Sequence, residues 1–150
     1  MKISLLLLVV LVTFVVAQLP DGFKSCGTAQ DNFTLQKLIV NPLNPVIGKE
    51  VQITAHGNVN FEDIVEGATV KVVAKVGNII TVLDKVFNLC EQAATANITC
   101  PIKVGPNEFG VKLLVPSNTP SIKVTVKATI TNANGNAVGC FTGPLQIVKS

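Results

Sequence analysis

Between Ile122 and Ile130 the chain alternates without a fault. Ile122, Val124, Val126, Ala128 and Ile130 fall on one face, while Lys123, Thr125, Lys127, Thr129 and Thr131 fall on the other. A period of two built from β-branched residues specifies a half-buried strand, apolar inward and wet outward. Similar runs occur at Phe33–Val40, Ala68–Val76 and Phe109–Val115. Val51, Ile53 and Ala55 alternate with Gln52, Thr54 and His56 in a strand expected to break at Gly57. Gly77-Asn78 and Asn134-Gly135 are two-residue hairpin turns between apolar runs.

Two segments resist simple phasing. If Ile80 and Val82 point inward, strict alternation drags Asp84 inward as well. A bulge, or an end to the strand near Leu83, avoids burying a lone carboxylate. Pro144 interrupts the closing run from Val138 to Val148 and cannot donate to a ladder, so an edge or a bulge is expected there. Seven or eight antiparallel strands at this spacing, with no convincing helix and no internal repeat, predict an all-β, immunoglobulin-like β-sandwich. Its inner walls are aliphatic, and the chain has no Trp and no Tyr. Periodicity alone leaves two possibilities open, a closed core or an apolar cavity between the sheets.

Met1-Lys2 followed by the almost wholly apolar run Ile3 to Val16 reads as a secretory signal cut after Ala17. The run is shorter than the roughly 20 residues that span a bilayer. Residues 18–150 then form a single domain, long enough for a real core. Removing Lys2 leaves 11 lysines against 9 acids and no Arg. That balance is too mild, and aromatics are too few, for a nucleic-acid surface.

Cys26, Cys90, Cys100 and Cys140 fit an oxidising compartment as two disulfides, with three connectivities open. Cys90–Cys100 with Cys26–Cys140 is the favoured pairing. On the chain-entropy account the short loop contributes roughly 3 kcal/mol and the long one nearer about 5 kcal/mol. Asn32-Phe33-Thr34 and Asn97-Ile98-Thr99 are glycosylation sequons, so Asn32 and Asn97 are candidate glycan sites. A location in the secretory pathway, secreted or in an endosomal or lysosomal lumen, is expected, and so is a monomer.

Catalytic chemistry has little to work with. His56 is the only histidine and falls on the outward parity of its strand. With no nucleophile–histidine pairing, no phosphate loop and no metal-ligand spacing, no catalytic residue, metal ligand or cofactor is assigned. Glu62, Asp63 and Glu66 read as a solvated loop. Lys71, Lys75, Lys123 and Lys127 point outward, where they keep the sheets soluble or meet anionic lipid headgroups.

Several segments, in order, resemble Niemann-Pick type C2 proteins of the MD-2-related lipid-recognition (ML) family. They are Cys26-Gly27, Asn41-Pro42, Gly48-Lys49, Cys100-Pro101-Ile102-Lys103, Val115-Pro116, and Pro120-Ser121-Ile122-Lys123-Val124 through Cys140 to Gln146-Ile147-Val148. The likeness covers about residues 23–148 and supports the same two disulfides. It implies a lipid held between the sheets. Asn41 to Gly48 lacks the cysteine of the animal sterol carriers. Val82-Leu83-Asp84-Lys85-Val86 stands where they are Phe- and Pro-rich, and Thr119 replaces an aromatic. Asp84 to Cys90 and Glu66-Gly67-Ala68 are more similar to the phosphatidylglycerol/phosphatidylinositol transfer branch.

The resemblance therefore implies a phospholipid carrier in transient contact with membranes. The alternatives are a sterol carrier, a lipid-presenting accessory protein and an adhesion module with a filled core. Combined with the inward parities, it puts the acyl chains against Val70, Val72, Ala74, Val111, Leu113, Val124, Val126 and Ala128. Phe61, Phe87 and Phe109 are candidates for the cavity mouth, and alternation does not separate mouth from core for them.

Overall fold

The computed structural model describes residues 17–150; the apolar run assigned to the secretory signal lies outside them, apart from Ala17. Eight strands form: β1 (Lys24–Ser25), β2 (Phe33–Asn41), β3 (Glu50–Val59), β4 (Thr69–Val76), β5 (Ile80–Asn88), β6 (Gly105–Leu114), β7 (Lys123–Thr131) and β8 (Ala137–Gln146). They make two antiparallel sheets, one of five strands in the order β1-β8-β7-β4-β5 and one of three in the order β2-β3-β6. The predicted sandwich is present. Alternation does its work in β7, where Val124, Val126, Ala128 and Ile130 are buried and Lys123, Thr125 and Lys127 are exposed.

Four local outcomes depart from or sharpen the expectations. The strand through His56 does not break at Gly57 but runs on to Val59. Gly57 lies against the Phe33 ring and the Thr34 carbonyl, and a Cβ there would collide with both. Glycine here is a site of close approach, not a terminator. In β5 the bulge is realised: Lys75 pairs with Thr81 but Ala74 with Leu83, so Val82 is the extra residue. The rephasing turns Asp84 outward, opposite Val73, and the strand continues to Asn88.

At Pro144 the edge alternative holds. Two-residue β1 pairs only with Phe141 and Thr142, so nothing continues the ladder on that side of the proline, while Thr125 of β7 lies on the other. Finally, a six-residue helix, α1 (Leu89–Ala94), follows β5 where none was expected. Asn88 caps it, its Oδ1 accepting from the Glu91 backbone N–H at 3.1 Å. Asn88 followed three residues later by Glu91 is a helix-start signal that the cystine loop had masked.

Both disulfides form as favoured, Cys26–Cys140 and Cys90–Cys100. The first fastens the segment after β1 to β8 within one sheet, and the second ties α1 to the chain leading into β6.

The two sides of the sandwich are closed differently. On the β2–β8 side, backbone hydrogen bonds stitch the sheets: Asn32 N–H to the Ala137 carbonyl, Ile47 N–H to Val148, and Val148 N–H to Pro45. On the other side β5 and β6 are the outer strands of their sheets and share no ladder. Only α1 packs across that gap, at one end.

That stitched end carries the buried polar residues Asn32 and Asn132. Asn32 donates through Nδ2 to the Glu62 carbonyl at 2.7 Å and accepts from the backbone N–H groups of Phe61 and Glu62. Glu62 in turn accepts from the side-chain amides of Asn134, Asn136 and Asn132. Those amides, Asn134 first, hold its carboxyl below the ordinary value of 4.5. Asp63 is lowered too, by the Val104 backbone N–H and then by the Lys103 ammonium. The acidic loop is thus a hydrogen-bonded knot.

Because these carboxyl groups are more acidic folded than unfolded, the stability they contribute is complete above the ordinary carboxylate range. It is lost as the pH falls through their lowered folded values. We expect the melting temperature to drop on acidification below 4.5, and to drop less steeply in Glu62→Gln. Parallel acid titrations of thermal unfolding in the two proteins check this.

Candidate functional site

The inner faces of the two sheets meet along an apolar seam. Val70, Val72, Val111, Val126 and Ala128 border a deep void of about 30 Å³, together with Ile53, Ala55, Phe109, Ile130 and Phe141. Val72, Ala74, Leu113, Val124 and Val126 border a second void of about 70 Å³. All eight residues singled out from inward parity therefore sit on the walls of this seam. Ile53, Val72 and Val126 belong to both voids, so the two are one seam pinched in the middle.

The outer void opens between the ends of β5 and β6. Val82 and Leu83, the bulge residues, flank it on one side, and Leu114, Pro116 and Thr119 on the other. At its deep end the seam leads into a wider vestibule of about 310 Å³ beside Cys26–Cys140. Ala55, Ile130 and Phe141 are shared with the deep void, and Ser25, Thr28, Asp31 and Thr34 supply a polar rim.

Sites for small molecules are commonly about 300–1,000 Å³. The two apolar voids fall far short, so the walls touch nearly enough to close and must part to admit a lipid. The architecture allows that parting. The seam is lined by Val, Ala, Ile, Leu and Phe, and the two buried polar side chains lie outside it, in the loop knot. Separating the sheets along β5 and β6 breaks no ladder hydrogen bond, only dispersion contacts that a hydrocarbon guest replaces.

Sequence reasoning missed the larger part of the lining. Ile53, Ala55 and Ile130 carried the right parity and could have been added from alternation. Phe141, Leu145, Val82 and Leu83 needed the register of β8 and β5. The three aromatics are not at the mouth. Phe109 is 3% exposed on the deep wall, its ring 4.8 Å from that of Phe33. Phe61 is 69% exposed in the loop at the far end, and Phe87 packs against the core near α1. Parity does not distinguish the two ends of a strand, so it gives these three rings the same status.

The bulge at Val82 has a second effect. Leu83, Lys85 and Phe87 pair with Ala74, Val72 and Val70, all inward residues, so Lys85 is a charged residue at an inward register. It is exposed on the free edge and makes no ion pair among the described residues. His56, by contrast, faces outward with its Nδ1 3.5 Å from Glu108. Glu66 lies near Cys90 and Cys100, whose sulfurs are bonded to each other and are not free thiolates.

A two-sheet sandwich with a continuous apolar seam between its inner faces is a fold suited to hydrophobic ligands. Residues 21–147 match the ML domain, and the chain belongs to the ML-domain family. A Dictyostelium discoideum relative is 33% identical over 121 residues, covering 79% of this chain and 78% of that protein. A Cryptococcus neoformans protein named phosphatidylglycerol/phosphatidylinositol transfer protein is 37% identical over 107 residues. That match covers 70% of this chain and 58% of the Cryptococcus protein, so this chain spans little more than half of it. Among solved structures, a Niemann-Pick type C2 protein from Japanese carpenter ant shares the fold, with a TM-score of 0.64 at 16% identity over 84% of this chain and 98% of that one. Chicken MD-1, solved with lipid IVa, aligns with a TM-score of 0.53 at 20% identity over 84% of this chain and 88% of its own.

The structure places the two sequons differently, with Asn32 buried and Asn97 exposed. Asn32 is 3% exposed, and the Nδ2 atom that would carry the sugar is engaged with the Glu62 carbonyl. Asn97 is exposed in the loop after α1, with φ +62°. Any N-glycan on this chain is expected at Asn97 alone. Enzymatic deglycosylation should therefore shift the parent and an Asn32→Asp variant, but leave Asn97→Gln unmoved on a gel.

Proposed function

We propose that this protein carries a phospholipid of the phosphatidylglycerol/phosphatidylinositol kind between membranes, its acyl chains held in the seam between the sheets. The observation that carries this reading is the continuous apolar seam, bordered by two strands that share no hydrogen bonds. A bare phospholipid in water exposes about 30 methylenes at about 0.8 kcal/mol each, roughly 24 kcal/mol. Val72, Val126 and their neighbours replace bilayer hydrocarbon with protein hydrocarbon, which makes the exchange nearly neutral. Carriage needs no reaction, and no catalytic residue is assigned.

The names of the relatives favour a phosphodiester headgroup over a sterol. The mouth is consistent with that choice, since Val82, Leu83 and Thr119 stand there instead of aromatic rings. Lys85, on the inward register of the free edge, is the cation best placed to meet the phosphate. The disulfides fit a luminal or extracellular site of action, and we infer that the carrier works there as a monomer.

Mass spectrometry of lipid extracted from the natively purified protein, followed by vesicle-to-vesicle transfer of the species found, tests the reading directly. Val126→Phe plugs the narrow joint between the two voids. It should cut lipid uptake at least about tenfold while costing about 1–3 kcal/mol of stability, the usual penalty for overpacking. Uptake equal to the parent's would exclude this strand as a cavity wall. Lys85→Gln should slow transfer of phosphatidylglycerol several-fold more than that of phosphatidylcholine, and equal slowing would remove Lys85 from headgroup recognition.

A further inference from the structure

We propose that the end of the sandwich bearing the Gly77-Asn78 hairpin is a membrane-docking face, built to lie on an anionic phospholipid bilayer. Four large apolar residues are exposed at this end: Ile79 (87%), Ile80 (62%), Leu114 (66%) and Leu43 (58%). Local geometry does not demand them. The turn needs residues that tolerate positive φ, and Gly77 and Asn78, both at +59°, supply them. Two isoleucines just beyond a tight turn, with nothing in the fold covering them, are what an interface requires and a soluble loop avoids.

Charge selects the occupant. Lys49, Lys75, Lys123 and Lys149 lie at or next to the strand ends on this side, all exposed, opposed by Glu50. At the opposite end Asp31, Glu62, Asp63, Glu66 and Glu91 gather, with Lys103 already paired to Asp63. The molecule is therefore polarised along its strands, with a basic, greasy end and an acidic end. Isoleucines flanked by lysines match a bilayer surface, where the apolar tip enters the acyl boundary and the ammonium groups stay among anionic headgroups. Lys71 and Lys127, also outward, sit further along the sheet face.

Position gives the surface its use. The seam opens at this same end, between Val82 and Leu83 on one side and Pro116 and Thr119 on the other. Docking here sets the mouth against the bilayer, so that a lipid passes between hydrocarbon and hydrocarbon without crossing water. That use rests on the carrier reading, whereas the docking face itself does not.

Co-sedimentation of the secreted protein with phosphatidylcholine vesicles, with and without phosphatidylglycerol, tests the face. The double variant Ile79→Ser/Ile80→Ser is expected to bind both at least about tenfold more weakly. Its uptake of a soluble short-chain fluorescent phosphatidylglycerol, which needs no membrane, should stay within about twofold of the parent's, showing that the sandwich is intact. Lys75→Gln/Lys123→Gln should lose the preference for anionic vesicles and its salt dependence. Phe61→Ser, at the acidic end, should bind like the parent. Undiminished binding by the isoleucine variant, or loss of binding in Phe61→Ser alone, overturns the proposal. If the parent takes up the short-chain lipid but binds neither vesicle, the docking face falls and the carrier reading stands. If tip-dependent binding persists in a protein that takes up no lipid, the reverse holds.

Discussion

Everything in this molecule depends on how two apolar sheet faces meet. Most sandwiches interlock their inner side chains, and the resulting dispersion contacts fix the distance between the sheets. Here the facing residues are short and smooth, largely Val, Ala and Ile, and small voids remain along the line of contact. The hydrophobic effect still holds the sheets together, because parting them in water exposes hydrocarbon. It does not oppose parting them around hydrocarbon. The same force therefore draws the sheets together in water and would tolerate a hydrocarbon guest between them.

Selective stitching turns that neutrality into a direction of opening. Hydrogen bonds across the β2–β8 side and the asparagine knot at the acidic end hold the sheets where they should not move. The Cys26–Cys140 bridge fastens the start of the domain to its last strand without crossing the seam. On the β5–β6 side the sheet edges are unpaired, and α1 spans the gap at the acidic end only, where Cys90–Cys100 ties it to the chain leading into β6. Buried polar bonds are costly to break, while apolar contacts can be exchanged for others. Compliance is thus left to the end of the β5–β6 side that lies away from the Cys90–Cys100 bridge.

The bulge at Val82 shows how one residue changes a site. Without it, either Asp84 would face the hydrocarbon interior or the edge strand would end early. With it, Leu83 joins the wall, Asp84 turns to solvent, and Lys85 takes an inward register on the exposed edge strand, opposite Val72. Alternation in the sequence flagged the conflict but could not choose between a bulge and a broken strand, because both remove the buried carboxylate. Gly57 was a similar case. A glycine in a strand reads as a break until the Phe33 ring that needs its missing side chain is in view.

The sequence by itself determined which residues face inward, where the tight turns fall, and the compartment that four cysteines fit. Those are local matters, set by a two-residue period and by the few residue types that tolerate positive φ. The eight wall residues were readable for that reason. Tertiary structure decided what parity cannot encode. It placed Phe109 deep and Phe61 at the far end, buried Asn32 while leaving Asn97 open, and gathered lysines and isoleucines from separate hairpins at one mouth. Each of these depends on which strand ends come together in space, and that is fixed by sheet order and register across distant segments, not by any neighbouring residue in the chain.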